Sequence, residues 1–328
     1  MLGGIQGLGE ILMSIAAWRR STFVVVIFAS LAACSVADYE KPVSDFAGAT
    51  NNAAEALVVL DTQVTESYAA VLRARVLSDK LLVKFDEGDC LVTSERCRLV
   101  AVNRDNQKEP LTPKDMIGRM VALMGFVRAY AQNLGAIMQA DTAAQAATHV
   151  NAALGSVKNL SATVVKFGGK GGTDISDYTT AAGKFVNWAI GQYVAKVKLD
   201  ALREATTKAH PVIEEASRIF EDTAGLIALV PKGELSSEVE KSFQAFDDAS
   251  NESNLENLIA KAEAYDQFLR TKPATVFAQL REAHGALAAK LKNDDLSLSN
   301  VSAKIEAFVV EAKTLLSIVR ELRYAGKK

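Results

Sequence analysis

The chain has 328 residues, of which 49% are hydrophobic, only 7% are aromatic and 52 are alanine. Alanine loses no side-chain entropy in a helix, whereas strands draw on aromatic and β-branched residues. The composition therefore favours α-helix, and a chain this apolar is not a disordered one. The 37 basic and 39 acidic residues leave a net charge of −2, which gives no basic field for collecting phosphates and excludes a general nucleic-acid binder.

The first 33 residues read as an export signal. Met13 heads a short basic region containing Arg19 and Arg20, and the uncharged run Phe23 to Ala33 follows. Eleven residues are too few to cross a bilayer, which takes about 20. The next stretch, Leu31-Ala32-Ala33-Cys34, resembles the lipobox of bacterial lipoprotein signal peptides. The resemblance covers only this segment. It implies that the Cys34 thiol takes a diacylglycerol, that the chain is cut before Cys34, and that the new N-terminus is acylated, for instance with palmitate. Each buried methylene contributes about 0.8 kcal/mol, so several acyl chains on one residue make a stable anchor. Ser35 stands where inner-membrane lipoproteins often carry Asp, so the resemblance also implies an outer-membrane address, on the periplasmic face. An ordinary secretory signal with an incidental Cys34 is the other reading of these residues. Arg19-Arg20 with Phe23 is also similar to a twin-arginine signal.

After the signal, residues 34–43 are polar with one proline and are expected to form a tether. The spacing predicts a first helix over Asp45 to Phe85, carrying Leu57, Leu60, Val64, Tyr68, Val71 and Leu81. Residues 86–111 break the helical pattern and hold Cys90 and Cys97. One pair of cysteines in one loop of an exported chain predicts a disulfide. A loop so short gains only about 2–3 kcal/mol in the chain-entropy model, so the bridge would staple an excursion without holding the fold. Leu91–Thr93 and Arg98–Val102 are expected to pair across it as a hairpin.

A second helix is predicted from Thr112 as N-cap, with Pro113 and Asp115 in its first turn. Its stripe of Ile117, Met120, Met124, Val127, Ala131, Leu134 and Met138 steps by three and four. The methionines, Met116 included, read as core filling. Gly168-Gly169-Lys170-Gly171-Gly172 lacks the closing motif of a phosphate loop and reads as a linker. It divides the bundle region, 44–328, into halves 44–167 and 173–328. From Phe185 to Val230 the same spacing runs over six heptads with Pro211 expected to kink it. A break is predicted at Pro231-Lys232-Gly233. Leu255, Leu258, Ala262, Tyr265 and Leu269 then mark a shorter amphipathic helix, and Phe277, Leu280, Leu287 and Leu291 mark the next. Breaks near Lys272-Pro273 and at Asn293 to Asn300 separate them from a last helix with Val301, Ile305, Phe308, Ala312, Leu315, Val319 and Leu322. The expected fold is all-α, an elongated, mostly antiparallel helical bundle with long coiled-coil-like helices.

Reactive groups do not converge in the sequence. His149, His210 and His284 are far apart, without a His or carboxylate at ligand spacing, so no metal, haem or other cofactor and no catalytic residue is expected. His284 lies on the apolar stripe of its helix and reads as a structural histidine. Phe185, Trp188, Gln192 and Tyr193 form the densest aromatic group and the candidate ligand pocket. The expected function is a lipid-anchored, non-catalytic envelope protein working through contacts with other envelope proteins. A small-ligand-binding bundle, with Gln192, Thr206 and Thr223 lining a cavity, is the alternative, and a membrane-active helical protein is a third.

Overall fold

The structure, a computed structural model, describes residues 8–86, 98–111, 117–169, 193–270, 272–293 and 296–325. It is all-α apart from one small sheet. In chain order the elements are α1 (Leu8–Ser78), β1 (Leu82–Phe85), β2 (Leu99–Val102), β3 (Lys108–Pro110), α2 (Gly118–Gln139), α3 (Ala143–Lys166), α4 (Val194–Asp248), α5 (Glu252–Arg270), α6 (Pro273–Asn293) and α7 (Leu298–Ala325). Among the described residues no helix is long and apolar enough to cross a membrane.

Contacts between side chains fix the directions. The Ile117 backbone N–H donates to Asp61 Oδ1 at 2.8 Å, while Gly135 lies against Ala47, so α2 runs antiparallel to α1. Lys198 Nζ donates to the Met138 carbonyl at 2.8 Å and Thr223 meets the Met120 sulfur, so α4 is antiparallel to α2 and parallel to α1. Arg203 donates to the Leu291 carbonyl at 2.7 Å and Arg281 pairs with Glu221 at 2.8 Å, which runs α6 back down α4. Phe46 meets Phe308, and Gln63 donates to the Val319 carbonyl at 3.0 Å, so α7 is parallel to α1. The neighbours α1, α2, α3 and α4 form one four-helix group and α1, α4, α6 and α7 another. The two groups share α1 and α4, and one continuous cluster of buried residues runs through both.

The predicted stripes are the buried ones. Met120, Met124, Val127, Ala131, Leu134 and Met138 on α2 are buried, as are Val301, Ile305, Phe308, Ala312, Leu315 and Val319 on α7. α3 opens on a capping box in which the Thr142 hydroxyl accepts from the Gln145 N–H, and the Gln145 side chain accepts from the Thr142 N–H.

Four local expectations differ from the structure. The tether is helical: α1 continues through 34–43, with Tyr39 at 6% and Val43 at 0% exposure. Val36, Tyr39, Val43 and Phe46 continue the three-four spacing of the same buried stripe, and that burial offsets the cost of Pro42 inside the helix. The far end of α1 stops at Ser78, not Phe85; Lys80 takes a positive φ of 49° and the chain turns into β1. β2 forms where a strand was expected, but it pairs antiparallel with β1 and β3, with Val83 opposite Ala101 and Ala101 opposite Glu109. Its expected partner, 91–93, lies outside the described residues. Finally, α4 is unbroken through 231–233. Leu235, packed with Phe268 and Ile318, anchors the helix beyond that point and outweighs a poor local propensity.

The predicted start of the second helix, Thr112 to Met116, and residues 185–192 at the start of the long one lie outside the described residues. Asn103 forms the β2–β3 turn, its side-chain oxygen accepting from the Asp105 and Gln107 N–H groups, with Asn106 at a φ of 61°.

Candidate functional site

Cys34 lies within α1. Cys90, Cys97, Phe185, Trp188 and Gln192 lie outside the described residues. Tyr193, the remaining member of the candidate pocket, precedes α4 with 88% of its surface exposed. The two threonines expected to line a cavity are satisfied within their own helix: Thr206 Oγ1 donates to the Leu202 carbonyl at 2.7 Å and Thr223 Oγ1 to that of Ile219 at 2.6 Å. Bonds of this kind use the hydroxyl proton within the helix and leave the oxygen able only to accept. Hollows of about 360 Å³ lie between α1 and α7 and between α1 and α2, but both are open and lined by charged side chains such as Arg320, Glu321, Glu40 and Lys41.

Two histidines distant in sequence meet in the core. His284 is fully buried on α6, its Nε2 shares a 2.9 Å hydrogen bond with the Tyr130 hydroxyl on α2, and its ring lies 5.7 Å from that of His210 on α4. Phe46 on α1 touches the same imidazole at a centroid distance of 5.9 Å. Burial pushes the His284 pKa down to about 3, with His210 adding to the shift, so the ring is neutral at ordinary pH. Burial likewise holds the Tyr130 phenol well above its usual range. The Nδ1 atoms of His210 and His284 are both buried without a hydrogen-bond partner. Among the described residues no group of three or more metal-binding side chains occurs. Tyr130, His210 and His284 form a polar knot in an apolar core. The structural role expected for His284 needs this addition: His210, far away in sequence, is its neighbour.

The second feature is on the surface. The upper part of α4 and α5 form an antiparallel hairpin whose shared interface is thin: among the described residues Leu235 and Phe268 from these helices, with Ile318 of α7, make the buried apolar cluster, and Ala228, Ala264 and Tyr265 pack against it half-buried. Beyond it the interface is polar. The Asn257 side chain donates to the Ser242 hydroxyl at 3.2 Å, and that of Asn254 to the Ala245 and Ala249 carbonyls at 3.0 and 2.8 Å. Lys261 reaches across to Glu238 at 3.7 Å. Meanwhile Phe243, Leu255, Ile259, Leu229 and Leu269 are exposed, Phe243 at 59%. The stripe predicted for this helix is thus rotated partly out of the interface, with Leu255 and Leu269 in solvent and only Phe268 of α5 buried. The sequence held a signal for this: Asn254 and Lys261 take inward positions of α5, and Leu255 and Leu269 each come one position after an inward residue.

Charge is concentrated on the same hairpin. Glu234 to Arg270 holds nine acidic and three basic residues, in a chain with a net charge of only −2. The three bases are engaged within the hairpin, Lys241 and Lys261 with Glu238 and Arg270 with Asp266. The carboxyl of Glu234 is raised above the usual range by burial and by the carboxylates of Glu66 and Glu238.

The fold and these sites define a helical bundle with a projecting acidic hairpin. No protein family matches the chain, and no curated protein or solved structure is similar to it.

Proposed function

We propose that this is a lipid-anchored, non-catalytic helical protein of the bacterial envelope, attached through Cys34 to the outer membrane on its periplasmic face and acting through contacts with other envelope proteins. The observation that carries the reading is the α4–α5 hairpin, which leaves large apolar side chains in solvent at the end of the bundle remote from Cys34. Exposed apolar groups gathered on one element mark interaction sites more often than scattered ones do. The helix that follows Cys34 enters the core from Val36 onward, which favours a bundle held close to its anchor.

The anchor is tested by growing cells with an alkyne-bearing fatty acid and fractionating their envelopes. The wild-type chain takes the label and sediments with outer membrane, and Cys34→Ser takes none and leaves it. Label retained by Cys34→Ser counts against the anchor. The contacts are tested by photocrosslinking from several surface positions in the cell, where an absence of adducts to any other protein counts against a contact function.

A further inference from the structure

We infer that the α4–α5 hairpin is two-thirds of a three-helix bundle, and that its open groove takes a basic amphipathic helix from another protein. The inference rests on the contact function proposed above and adds to it the place and the chemistry of the partner.

The geometry follows from helix handedness. In two antiparallel helices, the residue following each interface position lies on the same side of the pair, because reversing the chain and reversing the direction faced cancel. Phe243 follows Ser242 on α4, and Leu229 follows Ala228, which packs on the Leu235 cluster. Leu255 follows Asn254 on α5, Ile259 follows the half-buried Leu258, and Leu269 follows the buried Phe268. All five exposed side chains therefore share one side of the hairpin. Leu229 and Phe243 are fourteen residues apart, so the stripe is about 20 Å long, four turns of a docking helix. A third helix laid in the groove between two others meets residues at these positions. The opposite side is already occupied at its base by α1, where the Ser67 hydroxyl donates to Glu234, the residue that precedes Leu235.

Charge chooses the occupant. Helical spacing places Glu240 and Asp247, three before and four after Phe243, and Glu252 and Glu263, three before Leu255 and four after Ile259, along the outer margins of the stripe. Among the described residues none of the four has an ion-pair partner: Lys241, Lys261 and Arg270 are engaged elsewhere, and the stripe's one other base, Lys232, lies at its lower end beside Leu229. A second copy would bring like charges together, and an anionic lipid surface would be repelled in the same way. The chain's own long segment outside the described residues, 170–192, has two lysines against two aspartates and no basic stripe. A helix with apolar residues at three-four spacing and flanking lysines or arginines satisfies both stripe and margins, the groove-binding mode of amphipathic helices.

The test uses the full chain in cells, with a photoreactive phenylalanine analogue at Phe243 and, as the control on the other side, at Lys241. The expected result is an adduct from Phe243, and not from Lys241, to one recurrent peptide of another protein that is net positive with three-four apolar spacing. With the purified chain in nanodiscs of uncharged lipid, a short synthetic Leu/Lys amphipathic helix is the probe, read by fluorescence anisotropy against empty discs. Phe243→Ser with Ile259→Ser is expected to weaken its binding by about tenfold or more. Neutralising Glu240, Asp247, Glu252 and Glu263 as Gln or Asn is expected to flatten the salt dependence. These side chains are exposed, so the melting temperature is expected to be unchanged. Adducts from Phe243 to a second copy, to lipid or to an acidic peptide overturn the inference, as does unchanged probe binding in the variants. Protein adducts only from other surfaces overturn it while leaving the contact function standing; no protein adduct from any position overturns both.

Discussion

Acid should undo this bundle through one residue. His284 is fully buried against Tyr130, Phe46 and His210, and its pKa in the folded protein is about 3, against 6.5 for a free imidazole. The folded pKa is the lower of the two, so the stability that depends on a neutral ring is present above about pH 6.5 and is lost as pH falls towards 3. One proton contributes about 1.4 kcal/mol per pH unit, which gives a loss of about 2 kcal/mol by pH 5 and about 5 kcal/mol at the full extent. For a domain stabilised by about 5–15 kcal/mol this is a large share. The variant to compare is His284→Gln, whose amide can reach Tyr130 but does not titrate. Urea unfolding at about pH 7.5 and about pH 5 is expected to show wild type losing about 2 kcal/mol more than the variant between the two conditions. The variant itself is expected to be less stable at neutral pH by about 1–3 kcal/mol, so the readout is the difference in pH dependence. Equal pH dependence in the two proteins would refute the assignment of the acid sensitivity to this ring.

Other perturbations follow from the same packing. Phe46→Ala removes a fully buried ring between His284 and Phe308 and is expected to cost about 3–5 kcal/mol in urea unfolding. Thr142→Ala removes the capping box of α3 and is expected to cost about 1 kcal/mol, seen as a lower melting temperature without change in helical content. If Cys90 and Cys97 are bridged, the non-reduced chain titrated with a thiol reagent in denaturant shows neither thiol, and reduction costs no more than about 2–3 kcal/mol.

The long seams were legible because nothing interrupts them. Met120 to Met138 and Val301 to Val319 keep strict three-four spacing, and spacing is what burial requires of a helix. Misreadings fell where tertiary contact overrules a local rule. Pro42 looked like the mark of a tether, yet Tyr39 and Val43 on either side of it reach the core. The region 231–233 looked like a break, yet Leu235 finds Phe268 and Ile318 beyond it. On α5 periodicity found the apolar stripe but not the direction it faces, because the partner face of α4 is set by Ser242 and Glu238, polar residues that carry no period of their own. The meeting of His210 and His284 depends on two helices folding back on one another, and no local pattern encodes a contact across 74 residues.

The entry of α1 into the core at Val36 has a consequence for how an anchored molecule would search for its target. A single residue, Ser35, separates Cys34 from Val36, and from there α1 to Ser67 and α4 from Glu234 to Phe243 rise together by about 60 Å. A lipid-held body with a long leash sweeps a hemisphere and visits every height within its reach. A body joined to its anchor by so short a stretch would instead carry Phe243 over a thin shell at one fixed distance from the point of attachment. The volume explored shrinks, and the local concentration of the hairpin within that layer rises in proportion. Binding would then ask for a target presenting its helix within that reach of the anchor and no nearer, so that the length of a strut becomes part of the recognition.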